Sequence, residues 1–168
     1  AQLHLIIRPK AGEQVEANLA DLEEKLAGIV RNWQDALREQ LVAQHGEERG
    51  LALAHRYGRA LPAGYIEQST PAVAATDVTH LAALKGKDDL GLSLCRSRNP
   101  EEGLRFKLYR LGDDIPLSDA LPMMENMGLR VISEHPYRIV LPKADGNGNG
   151  GDVAFIQDFE VQAAREDL

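Results

Sequence analysis

A single cysteine, Cys95, stands in the 168 residues, so no internal disulfide can form and a reducing cytoplasm is the expected home. Aromatics are scarce at 5%, which leaves the core to aliphatic side chains. No apolar run approaches the roughly 18 residues that a membrane span needs. The leading Leu3-His4-Leu5-Ile6-Ile7 run is too short for a signal-peptide core and lacks a basic lead. Clustered Lys and Arg are missing as well. With a net charge of -7, pairs such as Arg96/Arg98 do not make the phosphate-binding surface that nucleic acid requires. An initiator Met is absent, and an opening at Ala1 is what a fragment boundary would give.

The motifs of catalysis are absent too. There is no G-x-S-x-G and no Walker-type lysine. The five histidines (His4, His45, His55, His80 and His135) are scattered, with no H-x-x-x-H pair and no neighbouring Cys/His set to hold a metal. Cys95 sits in an alternating segment and reads as a small sheet residue rather than a nucleophile. Gly146–Gly151 matches G-x-G-x-x-G by letter. A dinucleotide site needs a helix start behind that pattern, and Asp152–Gln157 alternates like a strand, so a hairpin loop is expected. Asp88/Asp89 and Glu101/Glu102 fall in polar turns, where solvation accounts for them. No catalytic, metal-binding or cofactor-binding residue is therefore expected in this chain.

What is present is patterning. Hydrophobic residues make up 43% and charged residues 27%, an ordinary globular balance for one domain or two small ones. Residues 2–8 read as a short strand stopped by Pro9 and Gly12. Val15, Leu19, Leu22, Leu26, Ile29, Trp33, Leu37 and Leu41 recur at spacings of three and four, which predicts a helix over 15–44 with one apolar stripe. That stripe needs a partner: a sheet, another helix or a second subunit, and the chain's own sheet is the favoured one. Gly46 is the expected stop.

Shorter helices are expected over 47–85. Gly58 ends one, Pro62 opens another, and Thr76-Asp77 caps a third before Val78, Leu81 and Leu84, with Pro71–Ala75 as a connector. Tyr57, Tyr65 and Ile66 are expected to pack among them.

Leu90–Ser97 and Leu104–Arg110 alternate and read as a hairpin around the Asn99–Gly103 turn. Leu104, Phe106 and Leu108 oppose Arg105, Lys107 and Tyr109. Ser118 is the expected N-cap of a helix with Pro122 in its first turn and Gly128 at its end. Met123, Met124 and Met127 read as core filling. Leu129–Glu134 continues past Pro136 to Leu141, and a last strand puts Val153, Phe155, Phe159 and Val161 on one face.

The loop Leu111–Ile115 joins a strand end to that helix. Free N–H groups at the helix start, with Gly112 nearby, could hold a carboxylate, and Asp113 and Asp114 could pair with an ammonium group. Gly112, Asp113 and Asp114 are thus the candidate effector-binding residues.

The run "PLSDALPMMENMGLRV" between two strands resembles the first half of an ACT domain, the small βαββαβ ligand-sensing module. Longer stretches, "LHLIIRPKAGE", "VRNWQDALREQLVAQHGEERGLALAHRYGRALPAGY", "LRFKLYRLGDDIPLSDALPMMENMGLRVISEHPYRI" and "FIQDFEV", resemble the N-terminal ACT-domain region of the large bacterial NAD-dependent glutamate dehydrogenases. The resemblance implies an α+β fold: an ACT/ferredoxin-like βαββ unit with an antiparallel sheet, preceded by a strand, a long amphipathic helix and a short helical connector. It implies residues 1–12 as the end of a preceding ACT-like domain, 13–87 as helix and connector, and 88–165 as an incomplete ACT-like domain. It implies a non-catalytic regulatory or architectural segment whose partner is the catalytic domain of the same polypeptide, with NAD bound there and not here. A homo-oligomer and a small amino-acid effector are also implied. A stand-alone amino-acid-sensing module and a pure oligomerisation element are the alternatives.

Overall fold

A computed structural model describes residues 19–96, 103–142 and 152–163. The expected strand at 2–8, the helix start at 15–18, most of the Asn99–Gly103 turn and the Gly146–Gly151 loop lie outside the described residues. Four helices come first: α1 (Leu19–His45), α2 (Glu47–Tyr57), α3 (Ala63–Gln68) and α4 (Pro71–Ala83). The sheet follows: β1 (Leu90–Arg96), β2 (Leu104–Leu111), helix α5 (Leu117–Asn126), β3 (Leu129–Val140) and β4 (Val153–Ala163). The fold is α+β. All three pairings are antiparallel and the strand order is β1-β2-β4-β3. The expected βαββ unit is β2-α5-β3-β4, and β1 adds a fourth strand at its edge.

The long helix forms where the 3.6-residue stripe predicts it. Leu37 and Leu41 are fully buried and Trp33 is half-buried with its indole N–H donating to the Ser69 carbonyl at 3.0 Å. Ile29, on the same stripe, is 62% exposed. The partner is not the sheet, as favoured, but the helices α2 and α4. Gly46, at φ +80, turns the chain between α1 and α2. Gly50 makes the close crossing possible, because a Cβ there would lie 2.5 Å from the Val42 Cα.

Several boundary expectations are overturned. Pro71–Ala75 is no connector, and Thr76-Asp77 is no cap. Helix α4 already starts at Pro71, with the Thr70 hydroxyl accepting from the Val73 N–H at 3.4 Å. Proline is harmless at that position because its missing N–H would be unpaired anyway, and the alanines that follow favour helix. Ser118 is likewise not the N-cap. Helix α5 begins at Leu117, the Pro116 carbonyl takes the Asp119 and Ala120 N–H groups, and Ser118 Oγ bonds the Asp119 carboxylate. Pro122 falls in the interior of α5 rather than its first turn.

Both faces of the sheet are covered, but by different things. On one face α4 and its companion helices bury Tyr109, Tyr137, Ile139, Ala154 and Ile156. On the other, α5 alone buries Phe106, Leu108, Phe159 and Val161 under Ile115, Ala120 and Met124. The central strand β4 is therefore buried from both sides over Ile156–Phe159, and the single apolar face expected for it is only half of the account. A bulge between Val131 and Ser133 switches the parity of β3 between the two faces.

Candidate functional site

The loop expected to bind an effector begins where β2 ends. Gly112 has φ +88, a left-handed value that glycine takes without strain, and its N–H donates to the Val153 carbonyl at 2.7 Å. The Lys87 methylenes lie against it: a Cβ on Gly112 would be 2.9 Å from Lys87 Cδ. Asp113 and Asp114 are exposed. Ile115 then plunges into the core, 7% exposed, and is held by one side chain acting as a two-way clamp. Gln157 Oε1 accepts from the Ile115 N–H and Gln157 Nε2 donates to the Ile115 carbonyl, both at 2.9 Å. The same amide nitrogen donates to Glu134 at 3.0 Å. The loop is therefore rigid at Gly112 and Ile115 and open to solvent at the two acids between. With Asp119 in the first turn of α5, the helix start carries acids suited to its dipole. A cationic group is the better electrostatic match for Asp113 and Asp114.

The other concentration of polar groups is buried, and no local pattern marks it as a unit. Asp77 of α4 points at the sheet and is 2% exposed. Its carboxylate accepts from Lys107 Nζ at 2.6 Å, from the Tyr109 hydroxyl at 2.8 Å and from the Tyr65 hydroxyl. Lys107 Nζ also lies 3.5 Å from Asp158, which Arg105 holds through two contacts of 2.9 and 2.8 Å. Two acids thus meet two bases in the interface between helices and sheet. Burial, and after it the Asp77 charge, push the Tyr65 and Tyr109 hydroxyls far above their ordinary 10.0, so both remain neutral proton donors. His80 stacks on Tyr109 with ring centroids 4.8 Å apart. A buried charge pair contributes only when its remaining donors and acceptors are met, and here, among the described residues, no buried side-chain N or O lacks a partner.

Neither of the two hollows that flank α5 is lined by these carboxylates. One hollow, about 340 Å³, runs between α5 and β1 and is almost wholly apolar, with Leu90, Leu92, Phe106, Leu108, Met123 and Met127 on its walls. The other, about 490 Å³, lies between α5 and the start of β3, with Glu125 and Arg130 at its mouth. Of the three methionines read as core, Met124 is buried, whereas Met123 and Met127 are 41% and 51% exposed. Partial burial raises the Cys95 thiol, the opposite of what a nucleophile needs. Among the described residues no three His, Cys, Asp or Glu gather into a metal-binding group, and no helix is long and apolar enough to cross a membrane. Behind the Gly/Asn loop comes strand β4, as the alternation predicts, and no helix start.

Comparison with known proteins meets this geometry at both of its halves. Residues 40–84 match the helical motif 2 of glutamate dehydrogenase, and residues 89–168 match its ACT3 domain. The NAD-specific glutamate dehydrogenase of Halomonas elongata is 41% identical over 140 residues, covering 83% of this chain. The chain belongs to this glutamate dehydrogenase family. Its relatives in Pseudomonas aeruginosa and Mycobacterium tuberculosis, of the same name, are 34% and 30% identical over 83% and 76% of the chain. The matched stretch is only 9% of the Halomonas and Pseudomonas proteins and 8% of the mycobacterial one. Within the family segment, the Asp77 cluster spans the join: Asp77 and Tyr65 come from the helical motif, and Lys107, Tyr109, Arg105 and Asp158 come from the ACT3 sheet.

Proposed function

We propose that the chain is a regulatory and architectural segment of a cytoplasmic NAD-dependent glutamate dehydrogenase that works as a homo-oligomer. The parent reaction converts L-glutamate, NAD and water to 2-oxoglutarate, ammonia and NADH. The catalytic and NAD-binding groups belong to other parts of the same polypeptide. The observation that carries this reading is the match of both halves of the chain to named segments of that enzyme, its helical motif 2 and its ACT3 domain. The buried charges support the architectural part of it, since Asp77 of the helical motif pairs with Lys107 and Tyr109 of the ACT3 sheet and ties the two together.

In this reading the effector role falls to Gly112, Asp113 and Asp114. Two fixed points, the Gly112 N–H bond and the Gln157 clamp, hold the acids at the start of α5. A small amino acid would present its ammonium to the acids and its carboxylate to the first N–H groups of α5. Thermal denaturation of the chain against a panel of the twenty amino acids tests this. The expected result is a rise in Tm with one or a few of them that Asp113→Asn/Asp114→Asn removes. A flat response across the panel leaves the architectural role alone. Turnover of glutamate, or NAD binding, by this chain would overturn the non-catalytic reading.

A further inference from the structure

Among the described residues, strands β1 and β3 are the two edges of the sheet, and they are built in opposite ways. Edge strands of folded proteins are blunted by proline, bulges and charge to prevent pairing with other chains. β3 has all three: Pro136, the bulge at Ile132, and Arg130, Glu134 and Arg138 along its length. β1 has neither proline nor bulge. Its seven residues pair with β2 in unbroken register, and its only charge is the terminal Arg96. On the α5 side it exposes Leu90, Leu92 and Leu94 at 43%, 52% and 55%, beside the exposed Met123 and Met127. Leu90, Leu92, Met123 and Met127 line the apolar groove between α5 and β1.

We infer that β1 is an interface strand, and that its partner is β1 of a second copy, paired antiparallel across a twofold axis. This rests on the homo-oligomer proposed above and names its surface. Side chains must keep to their own face of a joined sheet, so a residue pairs only with one of like parity. The register that uses the whole strand sets Ser93 against its own copy, Leu92 against Leu94 of the partner subunit, and Leu90 against Arg96 of the partner subunit. The leucines of both copies then form one apolar strip between the two α5 helices, with Met123 and Met127 at its borders. The same register carries the Asp88–Asp89 turn, just ahead of β1, to the basic end of the opposite strand at Arg96. Asp88 and Asp89, which follow Lys85 and Lys87 in that turn, approach Arg96 only when the two strands run antiparallel, and a twofold interface requires this self-complementarity. A foreign strand would have to supply both by chance.

Sedimentation of the 168-residue chain over a wide concentration range tests the inference. A dimer is expected. Leu92→Lys, with unchanged circular dichroism, is expected to weaken it by about tenfold or more, whereas Ile132→Lys on the opposite edge leaves it intact. If Leu92→Lys fails to fold, Ser93→Cys in a Cys95→Ser background carries the test, and oxidation is expected to yield a covalent dimer. A strict monomer overturns both this inference and the homo-oligomer. A dimer that resists Leu92→Lys, that Ile132→Lys dissociates, or that gives no cross-link at Ser93, overturns the assigned surface while the oligomer stands.

Discussion

The two faces of the sheet are closed to different degrees. The helical-layer face is finished: its large side chains are buried, and the ions trapped there have partners. The α5 face is half finished. One ten-residue helix covers β2, β4 and the start of β3, and it leaves the leucines of β1 in solvent. The lesson is that buried charge and exposed apolar surface mark opposite situations. Charge can stay inside the first face because the chain itself supplies every counter-group. Leucine stays outside on the second because α5 stops short of β1, and an exposed apolar patch of this kind is what a partner surface would meet.

Four changes break or sharpen this contrast, in falling order of expected effect. Asp77→Ala should cost about 3 kcal/mol, because it removes the shared acceptor of two buried hydroxyls and leaves buried Lys107 only the longer contact to Asp158 at 3.5 Å. Urea denaturation measures it, and a loss under 1 kcal/mol would mean that the finished face does not depend on its ions. Gly50→Ala forces a methyl group into the Val42 backbone and should cost about 1–3 kcal/mol, read as a shift in Tm. Tyr109→Phe removes one bond to Asp77 and should cost about 1 kcal/mol near neutrality. Leu92→Ala on the unfinished face should change the stability of the dissociated monomer by no more than about 0.5 kcal/mol. A large loss there would show that β1 is already covered.

The tyrosines add a pH signature to the same contrast. The folded pKa of Tyr65 and of Tyr109 is raised above the ordinary 10.0, so above that pH the unfolded chain releases protons that the folded chain retains. The contribution is therefore complete below pH 10 and declines as pH rises beyond it. Stability measured from pH 8 to 11.5 should fall at the alkaline end, and Tyr65→Phe should flatten that fall. An alkaline limb that Tyr65→Phe leaves unchanged would place the sensitivity elsewhere.

The expectations that succeeded and failed do so for a common reason. The α1 helix was legible because eight apolar residues recur at 3.6-residue spacing, and the hairpin because Leu90–Arg96 and Leu104–Leu111 alternate. The strand behind the glycine loop was legible from its alternation as well. The start of α4 was missed because Pro71 and the alanines look like a linker until the Thr70 cap is in place. Asp77 was misread as that helix's cap because an acid ahead of an apolar run is a usual start signal. Its true partners lie 12, 30 and 32 residues away, beyond the reach of any local pattern. The Leu111–Ile115 loop was legible as the join of strand and helix, but the Gln157 clamp that stiffens it is 42 residues from Ile115.

Local spacing thus settled which segments are helix and which are strand, because a period of 3.6 or 2 is written into neighbouring side chains. It separated the two faces of each strand without naming the inner one. In β2 both are inner: Phe106 and Leu108 lie under α5, and Lys107 and Tyr109 lie under α4. Only the assembled layers could decide that, since a lysine goes inside when a distant carboxylate arrives to meet it, and a leucine stays outside when nothing in its own layer covers it.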